Sequence, residues 1–432
     1  MFADILIAVL SFILMIVSKT AIIWGPLLLG YIAFTMWHHF VSEKFIGGIE
    51  WTMLEVEIPR EITKTPAAME LFLTNALYQL TGKGVWEEYW QGAVHFWYSL
   101  ELVSIDGRVH FFIRIPSRLK RLVESQLYAQ YPQVRVLEVE DYTENIPRYR
   151  NNGDWHLWGC EFKKAKADPL PLRTYVDYGM KPGTKVEDMI DPITPMIEFL
   201  GSLQRGEQVW IQFVVRASKK KFKDEHGHMH GTYAGELERV IKEILAPYSR
   251  SQKRDLVEEG AFAFEMRTPD FLKDDIAKIS RMTDKLPFDC GIRVCVLGDK
   301  RYVDANTFNN TRRAARLIFR QYDDPSLNGL VRFNNTQYEA PFSDPTSMGI
   351  QKIKSRFLTF YKLRTMYYPP LVFSFNYPKL VEFFLPSGKP EYFVMNTEEL
   401  ATVWHFPGMV SETPTFKRLE SKTAKPPANL PM

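Results

Sequence analysis

Residues 95–123 read HFWYSLELVSIDGRVHFFIRIPSRLKRLV. Two strand-like runs, His95 to Val103 and Val109 to Ile115, flank Ile105-Asp106-Gly107-Arg108. Asp-Gly between such runs is a strong hairpin signal, because both central turn positions need positive φ. Pro116-Ser117 then opens a helical pattern carrying Leu119, Leu122, Val123, Leu127 and Tyr131 on one face, ended by Pro132. Upstream, WTMLEVEI (51–58) alternates Leu54, Val56 and Ile58 against Met53, Glu55 and Glu57, and stops at Pro59. Thr65-Pro66 supplies an N-cap followed by proline, and Met69, Phe72, Leu73, Ala76, Leu77 and Leu80 recur at helical spacing before Gly82. Downstream, VRVLEV (134–139) completes a β-α-β-β-α-β order over residues 50–145, the split-βαβ or ferredoxin-like unit.

Beyond a connecting segment at 146–192, with a candidate strand at Leu157 to Phe162, residues 193–340 read as a second α+β unit. Thr194-Pro195 starts a helix with Ile197, Leu200 and Leu203 inward and Gly206 past its end. Val209 to Val215 is a strand, helical patterns follow near 235–245 and 269–282, and a strand at 291–297 precedes a helix at 306–322. FIRIPS (112–117) and VVRAS (214–218) occupy similar strand-end places, which hints at a diverged duplication. Residues 341–410 form a basic, aromatic helical segment and a last helix capped by Asn396 or Thr397; 411–432 is a Pro- and Lys-rich extended tail.

The first 40 residues carry two formal charges, Asp4 and Lys19, and two apolar runs, Ile5 to Val17 and Ile22 to Trp37. A transmembrane anchor over 1–45 is expected, as one tilted span or a hairpin turning at Ser18-Lys19-Thr20. A signal peptide fits less well, lacking a positive n-region and a small-x-small site. Trp37, His38 and His39 suit an interfacial belt. The expected fold class is therefore α+β: an anchor, two ferredoxin-like units and an extended tail. Three cysteines, Cys160, Cys290 and Cys295, form no framework, and the last two point to opposite faces of one strand. This favours a cytoplasmic body at the inner, cytoplasmic membrane.

With 54 Lys+Arg against 51 Asp+Glu, no global charge bias announces a nucleic-acid binder. Local clusters are candidates for nucleic-acid or subunit contact. Lys352, Lys354, Arg356, Lys362 and Arg364 interleave with Phe357, Phe360, Tyr361, Tyr367 and Tyr368, and Arg312, Arg316 and Arg320 form an i, i+4, i+8 stripe. The plainer reading is amphipathic helices with wet charges. His226, His228 and His230 alternate and would share one face of a strand, although a polar loop explains them better, and no metal is expected. Walker A, HExxH, GxSxG, CxxC and GxGxxG patterns are missing, so no catalytic residue or cofactor is expected.

Several phrases carry a resemblance: EIPREITKTPAAMELF (57–72), HFFIRIPSRLKRLVESQLYAQYP (110–132), VLEVEDY (136–142) and MIDPITPMIEFLGSLQRGEQVWIQFVVR (189–216). NTEELATVWHFPG (396–408) and ETPTFKRLESKTAKPPANLP (412–431) extend it. The chain resembles membrane-anchored proteins of uncultured, small-genome bacteria, fused to or encoded beside HerA/FtsK-type ATPases that look like conjugative coupling proteins of type IV secretion. The likeness spans roughly 50–432; this chain stops at Pro431-Met432, where a motor domain would begin in the fused arrangement.

The resemblance implies a non-enzymatic, membrane-anchored adaptor of a type IV secretion-like or conjugation-like DNA-transfer complex. It would form a homo-oligomer, work with an ATPase supplied in trans, and touch nucleic acid indirectly. Candidate docking residues are Trp404, His405, Phe406, Lys417, Arg418, Lys422 and Lys425. The alternatives are an envelope or surface-assembly scaffold with no DNA role, and an unrecognised membrane-bound enzyme.

Overall fold

In the computed structural model the described residues are 2–59, 64–80, 83–150, 152–181, 184, 189–222, 231–259, 270–336, 348–368 and 391–408. They fall into two compact units: residues 2–49 with 83–95, and the remainder. In the first unit, Phe2–Gly47 is one continuous helix, α1, with Pro26 inside it. Ser18-Lys19-Thr20, the expected hairpin turn, is helical. Among the described residues no helix is long and apolar enough to cross a membrane, which overturns the expected anchor over 1–45. On α1's described surface Ser18, Lys19, Thr20 and Pro26 precede exposed Leu27, Leu29 and Tyr31, and His38 and His39 follow them, so the described apolar stretch is short. Trp37 and His38 make ring contacts within this unit. Val85–Tyr89 (α3) and the residue after it bring Tyr89 to 5.8 Å from Phe34 and 5.3 Å from His38, and Trp90 to 6.3 Å from Trp37, between ring centroids.

The second unit is built on one antiparallel sheet. Its first half runs β1 (Trp51–Glu57), α2 (Ala67–Phe72), β2 (Tyr98–Ile105), β3 (Arg108–Pro116), α4 (Lys120–Gln130) and β4 (Arg135–Val139), in strand order β4-β1-β3-β2. The β2–β3 turn forms as its chemistry demands, with Asp106 at φ 54° and Gly107 at φ 79°. Pro66 rather than Thr65 stands at the N-cap of α2, which continues as a wider turn over Leu73–Leu77.

The second half repeats that topology. β5 (Trp155–Lys164), α5 (Thr194–Gly201), β6 (Glu207–Ala217), β7 (Pro287–Asp299), α8 (Ala305–Ala315) and β8 (Leu330–Phe333) give the order β6-β7-β5-β8, with α6 (Tyr233–Glu259) and α7 (Asp270–Arg281) inserted between β6 and β7. The second half thus begins within the expected connecting segment, because β5 is its first strand. The strand-end motifs are not equivalent: FIRIPS closes β3, whereas VVRAS runs off β6, whose counterpart is β2. The halves share one sheet, since β2 pairs antiparallel with β6 from Tyr98↔Val215 to Ile105↔Gln208.

One sheet face buries Leu54, Leu100, Ile113, Ile211 and Val294 under α2, α4, α5 and α8. The other buries Val103, Phe112, Trp210 and Cys295 under α9 (Met348–Leu363). β9 (Phe393–Asn396) pairs with the start of β7 and leads directly into α10 (Thr397–Val403). Asn396 caps α10 reciprocally with Glu399.

Candidate functional site

The basic, aromatic segment is largely interior. Phe357, Phe360 and Tyr361 of α9 are buried, and the sheet is shaped to receive them. A Cβ on Gly159 would lie 2.1 Å from the Phe357 ring, and one on Gly291 would lie 2.1 Å from Met366 Cε. Helix α9 ends with Arg364 at φ 50°, where the Arg364 amide bonds the Tyr361 carbonyl and the Thr365 amide bonds the Phe360 carbonyl. That pair defines a Schellman cap, whose left-handed position usually holds glycine.

Arginine is held there by its side chain. Its Nε donates to Glu101 at 2.9 Å with both side chains fully buried, and Nη2 reaches Asp141 at 2.9 Å. Tyr142 and Gln212 also donate to Glu101, at 2.7 and 3.0 Å. Burial alone would raise the Glu101 carboxyl; Arg364 and the hydrogen bonds from Ser99 and Tyr142 overcome this and hold it below its ordinary value. Beside it, Arg293 donates to Glu161 at 2.9 Å and to the carbonyls of Phe360 and Thr365 at 3.1 and 2.6 Å. Arg364 is therefore a brace rather than a nucleic-acid contact. Lys362 donates to the Ile146 carbonyl, Lys352 is exposed, and Arg356 is half-buried. Tyr367 donates to the carbonyls of Val214 and Asp289, at 2.8 and 2.6 Å.

The candidate docking residues Trp404, His405 and Phe406 are 0%, 1% and 2% exposed, so they anchor the chain and present no docking surface. His405 Nε2 stands 3.0 Å from Asp191, which also accepts the Gly408 amide. Burial opposes ionisation of Asp191, yet His405 and the two backbone amides of Ile193 and Gly408 keep its carboxyl below the ordinary value. In α10, Glu399 meets Lys164 at 2.7 Å and Glu398 meets Arg281 at 3.0 Å. Lys417, Arg418, Lys422 and Lys425 lie outside the described residues, as do His226, His228 and His230. Among the described residues no group of three or more His, Cys, Asp or Glu could hold a metal ion. Cys290 and Cys295 point into opposite cores, and burial pushes all three thiols up, away from nucleophilic thiolate.

Several of the remaining cations act on one another electrostatically in the fold. Helix α8 stops at Ala315, so the predicted arginine stripe breaks: Arg316 caps the helix and Arg320 starts a separate short turn. Arg312 is half-buried, and its Nε is buried without a hydrogen-bond partner. Burial lowers the Arg312 pKa, and Arg316 and Arg313 lower it further. Lys354 of α9 sits 3.3 Å from the Tyr149 hydroxyl, with its ammonium 5.0 Å from that ring's centroid. Burial, then Arg312 and Lys300, bring the Lys354 ammonium down to about 8. His156 stacks on Phe308 at 5.0 Å and is likewise lowered by burial, Lys300 and Lys354.

The described residues also line two grooves. One of about 370 Å³ is lined by Arg148, Tyr149, Arg150, Asp154 and Trp155 among others. The second, about 350 Å³, is lined by Arg316, Arg320, Asp323, Val331 and Arg332 among others. Lys300, Arg313, Tyr149 and His156 were not singled out in the sequence; the adjacent pairs Lys300-Arg301 and Arg312-Arg313 were the available signal. Comparison with protein-family models finds no match, and comparison with curated proteins finds none either.

Proposed function

We propose that the protein is a non-enzymatic adaptor of a DNA-transfer complex, working with a HerA/FtsK-type ATPase. The observation that carries this reading is the locked base of the C-terminal tail. Trp404, His405 and Phe406 are buried, and the Gly408 amide is tied to Asp191. A basic segment that begins beyond such an anchor has a defined origin on a rigid body, which suits capture of a partner. The resemblance of residues 396–408 and 412–431 to proteins associated with such motors supplies the kind of partner. Three buried, unbridged cysteines support a reducing compartment for the body.

The test is affinity purification of the tagged chain from its native cells. A P-loop ATPase should co-purify, and deletion of residues 411–432 should abolish its recovery while the body stays folded. Charge reversal at Lys417, Arg418, Lys422 and Lys425 should weaken the same contact, most strongly at low salt. Full retention of the ATPase by the truncated chain would sink the reading.

A further inference from the structure

We infer that the cleft beside α9 bounded by residues 146–150 and 152–155 is a binding site for one nucleotide, a planar base joined to a phosphate. This goes beyond the adaptor reading and does not rest on it, because the site needs neither an ATPase nor the C-terminal tail.

The wall of the cleft is built from an extended stretch of chain. Ile146 has φ −103° and ψ 119°, the extended backbone that a residue before proline prefers. Exposure then alternates: Arg148 and Arg150 are exposed, and Tyr149 between them is half-buried. Four contacts fix this wall to the body. Lys362 donates to the Ile146 carbonyl, and the Lys354 ammonium donates to the Tyr149 hydroxyl at 3.3 Å. At the far end, the Lys300 amide donates to the Asp154 carbonyl at 2.8 Å, and the Lys300 ammonium donates to the Gly153 carbonyl at 2.6 Å. The donors belong to α9 and to the turn after β7, so both ends of the wall are held by the sheet unit itself. A cleft whose walls are fixed before its ligand arrives loses little ordering entropy on binding.

The lining chemistry selects the ligand. The cleft holds about 370 Å³, within the range of small-molecule sites and too small for a peptide strand or a run of nucleotides. Below, it is closed by buried Leu157, Leu297 and Leu358, which offer a flat group an apolar floor. Tyr149 and Trp155 add aromatic rings, which stack on any base. Arg148 and Arg150 set two guanidiniums against the one carboxylate of Asp154, so the charged groups of the lining favour an anion, and guanidinium geometry suits phosphate. Inorganic phosphate would leave the rings and leucines unused, and an uncharged ring would leave the arginines unused. A nucleotide engages both.

The experiment is calorimetric titration of the full chain with the ribonucleoside monophosphates, and with the matching nucleoside, ribose 5-phosphate and inorganic phosphate as fragments. At least one monophosphate should saturate a single site at least about tenfold more tightly than any fragment. Arg148→Gln/Arg150→Gln should weaken that binding at least about tenfold, whereas Arg148→Lys/Arg150→Lys should retain most of it. Tyr149→Ala should weaken the monophosphate more than it weakens inorganic phosphate. Both arginines are exposed, so thermal melts should show the Gln variant as stable as the wild type. The basic tail is common to every variant, so a loss in the Gln variant belongs to the cleft. A 5′-phosphorylated trinucleotide identifies the source: an affinity equal to the monophosphate's assigns the site to a strand end, and a lower one to free nucleotide. Absence of binding by every monophosphate at about 1 mM overturns the inference. So does inorganic phosphate that binds as tightly as the monophosphate, or an unchanged affinity in the Gln variant.

Discussion

Gly159 of β5 and Phe357 of α9 occupy space that only one side chain can fill: a β-carbon on Gly159 would stand 2.1 Å from the aromatic ring. Helix α9 rests on the sheet because the strand beneath it has no side chain at that point. Gly159→Ala should therefore push Phe357 outward and disturb the core that also holds Tyr142, Trp210 and Tyr361. The expected cost is about 1–3 kcal/mol, read from denaturant unfolding with the protein's tryptophans as probe. An unchanged midpoint would mean that α9 packs more loosely than this geometry requires.

Gly107 is required for two reasons. Its φ of 79° disfavours any β-branched residue, and a Cβ there would lie 2.4 Å from the Leu203 carbonyl oxygen. Gly107→Val should destabilise the second unit by at least about 1–3 kcal/mol, and Gly107→Asn should be milder because asparagine tolerates left-handed backbone. Equal melting temperatures for wild type and the Val variant would refute this.

The Arg364–Glu101 pair predicts an asymmetric cycle. Arg364→Gly relaxes the positive φ, yet it strands a buried carboxylate and should cost about 3–5 kcal/mol. Adding Glu101→Gln should recover a large part of that loss. The Glu101 carboxyl is held below its ordinary 4.5, so its contribution is fully present above that value and is lost as pH falls through the depressed native one. Acid unfolding of the wild type should therefore steepen below about pH 4.5 more than that of Arg364→Gly/Glu101→Gln.

Lys354→Met should stabilise the protein. In the folded chain the ammonium titrates near 8 instead of 10.5, because of burial and then of Arg312 and Lys300. The unfolded state therefore binds more protons between those values, and wild-type stability rises with pH across that window. Below it the penalty is fully present, so the variant's advantage, on the order of 1 kcal/mol, should be greatest near pH 7 and vanish toward about pH 10.5. Differential melts at both ends of the range check the sign. A destabilised variant at neutral pH would show that the contact of Lys354 with the Tyr149 hydroxyl and ring outweighs the penalty of burial.

Much of the sheet was legible because its determinants are local. Alternation in 51–58, 109–115 and 209–215, the Asp106-Gly107 turn and the Asn396 cap each act over a few residues, and each appears where expected. The end of α8 was less legible. Arg312, Arg316 and Arg320 have helical spacing, but α8 stops at Ala315 and the chain turns before Arg320.

What the sequence determined by itself was the kind of local element and which of its faces is apolar, since side-chain period and turn stereochemistry need no partner. The tertiary structure alone decided that the two halves join through β2 and β6, because an exposed strand edge does not encode which edge it meets. It also decided the fate of each charge. Arg364 and Lys354 lie ten residues apart in one basic segment, yet one is neutralised by Glu101 and Asp141 and the other rests against the hydroxyl and ring of Tyr149. Whether a cation braces a core through carboxylates or rests on an aromatic ring depends on which distant groups folding brings within a few ångströms of it, and that distance is not written in the order of residues.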